Sequence, residues 1–357
     1  MIITTTGFFN TGSSAITHLL KEFDSISNTD NVYEMRLLYD PDCISDLEYN
    51  LTECPHRQNT SHAICRFKKY IDYNSNPLIN HHYEKMCNGN FKKLSYKYIV
   101  NISNFNYKGI SHIEAYDKGY LFSIVNRVYQ KFILTFFSHG RPAWIRDALA
   151  SPNTNQYAGT YDIEKFLSAT QDYLRSILSY CKKGDQDFIL IDQLIPPTCV
   201  ERYARYLPPE EELRVFIVDR DPRDLYITCK YFLRSYAIPC NNPNVFCDWY
   251  LWTRGQSRVS NENNSTVMRI RFEDLIYEYE STRDNIIKFC GLSSEKCSKK
   301  RQVFRPELSI NNTQVWKRFE KSREEAEEIR RRLPEYCYDF DSKDMKPDYQ
   351  SGKMFDC

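Results

Sequence analysis

Ile2-Ile3-Thr4-Thr5-Thr6-Gly7-Phe8-Phe9-Asn10-Thr11-Gly12-Ser13-Ser14 is the stretch whose reading decides the fold. Ile2–Thr6 is β-branched throughout and reads as a strand. Gly7 to Ser14 is a turn of small and polar residues. Ala15–Phe23 follows as an amphipathic helix, with Ile16, Leu19, Leu20 and Phe23 on one face. Strand, small-residue loop and helix in that order open a nucleotide-type α/β fold. In such a loop, backbone N–H groups converge on an anion at the helix N-terminus, where the helix dipole also favours negative charge. Gly12 permits close backbone approach, and Ser13 and Ser14 add hydroxyl donors. The loop is not a Walker motif, because G-x-x-x-x-G runs into Ser-Ser and not Lys-Ser/Thr. An ordinary strand–turn–helix capped by Ser or Thr gives the same string without any ligand.

Outward from this loop the chain alternates strands and helices. Asn31–Tyr39 looks like a second strand. Residues 41–110 are polar, rich in Asn and Tyr, and read as an inserted set of helices and loops, a cap over an acceptor site. Residues 120–137 and 160–183 read as helices. Asp187–Ile191, Leu213–Val218 and Thr266–Arg271 read as short strands, with a helix from about Arg223 to Tyr236 after the second of them. Glu320–Arg332 is a charged helix that opens a C-terminal tail, 320–357. No repeat and no low-complexity linker interrupts the chain, so 1–357 reads as one domain with insertions. The expected class is α/β: a P-loop-type three-layer fold with a central, mostly parallel sheet flanked by helices.

Composition narrows the function. The 357 residues hold 48 Lys+Arg against 47 Asp+Glu, a net charge of +1. That balance excludes a coat for nucleic acid, which needs a basic excess. It leaves room for one anionic pocket built from a few placed cations. Hydrophobic residues at 41% suffice for a packed core. The thirteen cysteines are scattered without C-x-x-C, so no zinc knuckle or redox pair is indicated, and inert thiols are expected. Any disulfide would fall in the Cys43–Cys87 stretch. Met1-Ile2-Ile3 runs directly into the loop motif with no leader pattern, and the apolar run Phe132–Phe137 is too short to span a bilayer. The expected location is cytoplasmic. His81 and His82 are adjacent, lack the spacing of a metal pair, and are expected on the surface.

A second motif is Val215-Phe216-Ile217-Val218-Asp219-Arg220-Asp221-Pro222-Arg223-Asp224-Leu225-Tyr226-Ile227-Thr228. A strand ends in Arg220, a proline forces the turn, and Thr228 lies eight residues on, where its hydroxyl could join the guanidinium on one phosphate. A charged helix start with surface Asp/Arg pairs is the plainer account of the same residues.

Together these motifs resemble the PAPS-dependent sulfotransferases (PAPS is 3′-phosphoadenosine-5′-phosphosulfate). Asn10-Thr11-Gly12-Ser13-Ser14 is similar to the family's phosphosulfate loop. Arg220-Asp221-Pro222-Arg223-Asp224 with Thr228 is similar to its 3′-phosphate motif. Arg271-Phe272-Glu273-Asp274-Leu275 resembles the segment that sets an aromatic, here Phe272, near the adenine. Val315-Trp316-Lys317-Arg318-Phe319 resembles the segment that closes over the nucleotide. The four run in the family's order from residue 2 to 319. The resemblance implies PAPS as donor, held by Phe9, Asn10, Thr11, Gly12, Ser13, Ser14, Arg220, Thr228, Phe272, Trp316, Lys317 and Arg318, with no metal. Asn10 stands where the family carries Lys or Arg. Lys317 or Arg318 could restore that charge, or backbone N–H groups could hold the donor without it.

The implied reaction is in-line sulfuryl transfer to an acceptor hydroxyl, which works by positioning and charge stabilisation. A base must take the acceptor proton. Asp192, at the end of a strand, and Glu34, in the second strand, are the main candidates. His112 and His139 are weaker ones. The Tyr-, Asn- and His-rich 41–110 segment suits a carbohydrate acceptor, a polysaccharide or glycolipid, with peripheral membrane contact if the glycan is lipid-linked. Low Gly with high Asn, Lys and Tyr suggests a bacterial source. The alternatives are a small alcohol or sterol acceptor, a small-molecule kinase, or a non-catalytic nucleotide- or glycan-binding relative.

Overall fold

The structure, a computed structural model, describes residues 1–27, 34–109, 111, 113–136, 154–182, 184, 186–235, 237–255, 263–318, 320–343 and 345–348. Seven strands occur among them: β1 (Ile2–Gly7), β2 (Ile26–Ser27), β3 (Ser103–Gly109), β4 (Thr154–Gly159), β5 (Phe188–Asp192), β6 (Leu213–Asp219) and β7 (Val267–Arg271). The chain divides into two compact units, one of Met1–Tyr39 with Leu174–Cys357, the other of Asp40–Tyr173.

The first unit is a five-stranded parallel sheet in the order β2-β5-β1-β6-β7, flanked by helices. This is the α/β architecture expected. β1 lies in the middle, and Ile2–Thr6 are buried throughout, as a parallel strand between helical layers must be. Three of those five residues are threonines, and their hydroxyls reach the end of β5. Thr4 Oγ1 accepts from the Leu194 N–H at 3.1 Å. Thr5 Oγ1 donates to Asp192 Oδ1 at 2.7 Å, and Thr6 Oγ1 to Gln193 Oε1 at 3.3 Å. A buried hydroxyl left unpaired costs about 1–3 kcal/mol, so these bonds hold the β5 terminus in position. One core joins Ile3, Phe216 and Val218 to Leu19, Phe23, Leu275 and Ile286. A second joins Leu225 and Tyr226 to Phe246, Tyr250 and Ile329.

Two boundaries differ from the sequence reading. The second strand is Ile26–Ser27, not Asn31–Tyr39. Residues 31–33 lie outside the described residues, Glu34 makes an isolated parallel bridge to Asp192, and Leu37–Tyr39 form a turn. Leu37 and Leu38 are adjacent and both buried, which a turn accomplishes and an alternating strand does not. The helix expected from Arg223 runs over Pro222–Ile227 and continues as a π-helix over Thr228–Leu233, closed by Arg234 at φ 47°. Thr228 sits where the winding changes, a place where functional residues concentrate.

The second unit carries the helices Arg57–Asn74, Phe91–Asn101 and Tyr120–Phe136 and the antiparallel hairpin β3–β4. It extends beyond the 41–110 segment, to Tyr173. β3 escaped the sequence reading because its residues are exposed nearly throughout, so no buried apolar run announces it. His81 and His82 are half-buried and so only partly at the surface, with the His82 ring edge-on to Tyr83. None of the twelve described cysteines, Cys43 and Cys87 included, is in a disulfide. Among the described residues no helix is long and apolar enough to cross a membrane.

Candidate functional site

The loop after β1 is built from unusual backbone. Phe9 and Asn10 have φ of 67° and 53°, and Gly12 has φ 93°. Such left-handed residues bend the backbone tightly between β1 and the helix that follows. Gly12 caps the helix Ser13–Leu20 with no side-chain hydrogen bond, so the first N–H groups of that helix have no capping side chain. Two glycines here are steric necessities. A Cβ at Gly7 would lie 2.1 Å from Thr11 Oγ1, and one at Gly12 would lie 2.7 Å from the Phe272 ring. Thr11 Oγ1 is buried and has no partner in the protein. Phe9 is half-exposed. Asn10 Nδ2 donates to Cys229 Sγ at 3.4 Å.

The loop lines a cavity of about 500 Å³ together with Glu34, Arg36, Asp192 and Gln193. Both carboxylates read from the sequence as candidate bases therefore face the loop's cavity. Burial lifts the Asp192 carboxyl to about 6, aided by the neighbouring Glu34 charge and opposed by the Thr5 hydrogen bond. Gln193 Nε2 donates to Ser13 Oγ at 3.3 Å, tying the end of β5 to the loop. His112 and His139 lie outside the described residues.

Arg220 is buried, and its Nη2 donates to Thr228 Oγ1 at 3.2 Å and to the Asn312 carbonyl at 2.5 Å. The pairing expected from the eight-residue spacing is present. Its Nε is buried without a partner. The guanidinium lies 5.3 Å from the Phe272 ring centroid, and the same ring lies against Gly12. Phe272 is itself buried in the core, so one ring touches both the loop and Arg220.

The acidic residues of the second motif have a different task. Asp221 accepts from the Arg223 and Tyr338 N–H groups at 2.8 and 2.7 Å and ion-pairs with the Arg223 guanidinium. Its own N–H donates to Glu273 Oε1 at 2.8 Å. Asp224 accepts from the Gln314 and Val315 N–H groups at 2.7 and 2.6 Å. Motifs far apart in sequence are thus fastened together by backbone hydrogen bonds to buried carboxylates. Trp316, held in the last motif, stacks under the Arg223 guanidinium at 4.8 Å, and its Nε1 is buried without a partner.

Lys317 and Arg318 do not line the loop cavity. Lys317 Nζ is engaged by Gln314 Oε1 at 2.6 Å, and Arg318 donates to the Asn311 carbonyl at 2.8 Å. The cation lining that cavity among the described residues is Arg36, which lies 3.6 Å from Glu34. Sequence reasoning passed over Arg36 because it sits in no motif, although it is two residues from Glu34.

No protein-family model matches the chain, and no curated protein matches it. Among solved structures it is similar to the crystal structure of sulfotransferase STF1 from Mycobacterium tuberculosis, at 14% identity and a TM-score of 0.33, over 93% of this chain and 75% of that one.

Proposed function

We propose that this chain is a sulfotransferase that moves a sulfuryl group from PAPS to a hydroxyl on a carbohydrate acceptor. One observation carries the reading. Thr11 Oγ1, Arg220 Nε and Trp316 Nε1, one from each of three motifs, are buried polar atoms without a protein partner. Buried donors are normally satisfied, and a ligand rich in anionic acceptors would satisfy these. The residues therefore suit such a donor: the loop N–H groups and Ser13 and Ser14 for the 5′ end, Arg220 with Thr228 for the 3′-phosphate, and the Trp316 segment closing over the nucleotide. Bound there, the donor would supply a sulfuryl group already activated by a phosphate leaving group.

The chain's own contribution is binding, charge and a base. Asp192 takes the proton from the acceptor hydroxyl, with a carboxyl near neutrality suited to that exchange. Thr5 orients it. Arg36 supplies the positive charge that Asn10 lacks. The carbohydrate class rests on the Tyr- and Asn-rich composition of the 41–110 segment.

Calorimetry with adenosine 3′,5′-bisphosphate against ATP tests the donor. Tighter binding of the bisphosphate is expected, and tighter binding of ATP would sink the reading. Transfer of labelled sulfate from PAPS to a panel of glycans and small alcohols tests the reaction. A second reading, donor binding without transfer, has one observation in its favour: Asn10 is uncharged and spends its amide on Cys229. Bisphosphate binding with no transfer to any acceptor would select it.

A further inference from the structure

The second unit contains a cavity of its own, about 400 Å³ in volume, between one face of the helix Arg57–Asn74 and the β3–β4 hairpin. That volume is within the range of small-ligand sites, roughly 300–1,000 Å³. Arg57, Ser61, Cys65, Lys68 and Asp72 all line it, at steps of four, four, three and four residues, which is one stripe of a helix. Ser61 fastens the opposite wall. Its Oγ donates to Gln156 Oε1 at 3.0 Å and accepts from the Tyr157 N–H at 3.2 Å. The walls are therefore held by hydrogen bonds between buried groups and not by the ligand.

The lining is positive. Arg57, Lys68, Lys69 and Lys118 face it against the carboxylates of Asp72 and Asp117. Both carboxylates are already engaged. Asp117 meets His62 at 3.1 Å and Lys69 at 3.9 Å. Asp72 pairs at 2.8 Å with Lys92, which lies outside the lining, and accepts from the Tyr96 hydroxyl at 2.9 Å. A concave wall with net positive charge focuses its field on an anion. Tyr107, with 40% of its surface exposed, and Tyr157 add aromatic faces, and Asn155 adds an amide. Aromatic faces cover apolar ring surface, and amides read hydroxyls.

We propose that this cavity binds an acidic saccharide, with the helix cations meeting its carboxylates and Tyr107 lying against a sugar ring. The site belongs to the second unit alone and does not depend on the donor chemistry. The test is calorimetry on the full chain with three probes: tetragalacturonate, neutral cellotetraose and tetrathymidylate. Tetragalacturonate should bind, with the other two at least about tenfold weaker. Lys68→Gln should weaken it about tenfold, the worth of one charge-assisted contact, and Tyr107→Ala about fivefold, the worth of one aromatic face, with the thermal midpoint unchanged. Equal binding of cellotetraose would overturn the proposal, as would equal binding of tetrathymidylate, which would mean charge attraction alone. So would unchanged affinity in both variants, or no binding of tetragalacturonate or a hyaluronan hexasaccharide at millimolar concentration. Adenosine 3′,5′-bisphosphate titrated into the same samples reads the donor site separately, so failure of one reading is distinguishable from failure of the other.

Discussion

The hydroxyl of Thr5 donates to Oδ1 of Asp192 at 2.7 Å, joining the middle strand of the sheet to the carboxylate that faces the loop cavity. Thr5 is held in turn by Thr17 Oγ1 at 2.8 Å. If Asp192 is the base, kcat/KM rises with pH through about 6, where its carboxyl gives up its proton. Asp192→Asn should remove that limb and cost about 10²–10⁴ in rate. Removing Thr5's bond, which favours the ionised form, should move the limb upward in Thr5→Val. A pH–rate profile with no acid limb near 6 in the wild type would reassign the base to Glu34.

Arg220→Ala should weaken adenosine 3′,5′-bisphosphate binding by about 2 kcal/mol, roughly 30-fold, the worth of a charge-assisted contact in a buried site. Thr228→Val should cost less, because it removes one neutral donor. Calorimetry reads both, and unchanged affinity in Arg220→Ala would remove the 3′-phosphate assignment.

Gly12→Ala meets two obstacles, a φ of 93° and the Phe272 ring at 2.7 Å. It should destabilise the fold by about 1–3 kcal/mol and abolish bisphosphate binding. Phe272→Leu in the same chain should return part of the stability, since it clears the ring but not the backbone strain. Thermal melts of the two variants decide it.

Arg36→Ala should lower kcat more than it weakens bisphosphate binding, because Arg36 faces the loop cavity and not the Arg220 pair. Asn10→Lys in that background should recover rate by restoring the charge at the first loop position. Steady-state kinetics would show an unchanged kcat in Arg36→Ala, and none to recover in the double variant, if Arg36 is only a surface partner of Glu34.

Glu273 is fully buried, and burial, with the Asp221 charge second, raises its carboxyl from 4.5 to about 8. The folded chain keeps a proton that the unfolded chain releases at lower pH. Folding therefore takes up a proton between the two values, and this contribution to stability falls as pH rises through that window. Glu273→Gln keeps the acceptor for the Asp221 N–H and cannot ionise. Its urea midpoint should vary less between pH 5 and pH 9 than that of the wild type. Parallel curves would show that Glu273 is not the group responsible.

Much of the fold was legible in the string. Periodicity placed β1, β5, β6, β7 and the helix Glu320–Arg332 to within a residue or so, since each is a continuous run with a clear stop. The spacing of Arg220 and Thr228 was legible because a short helical span turns sequence distance into spatial distance. Arg36 was not, because its place at the cavity comes from the turn at Leu37–Tyr39 and from the bond between the Met35 N–H and the Asp192 carbonyl, 2.9 Å.

What the sequence by itself determined is therefore local. The β-branched run, the two glycines of the loop and the proline after Asp221 each restrict their own backbone. What only the tertiary structure decided is which of these local pieces meet. Asp221 and Asp224 could have been ligands or surface charges; the fold makes them buried acceptors for the backbone of Tyr338, Gln314 and Val315. A carboxylate's role depends on which N–H groups reach it, and those arrive here from 90, 91 and 117 residues away along the chain.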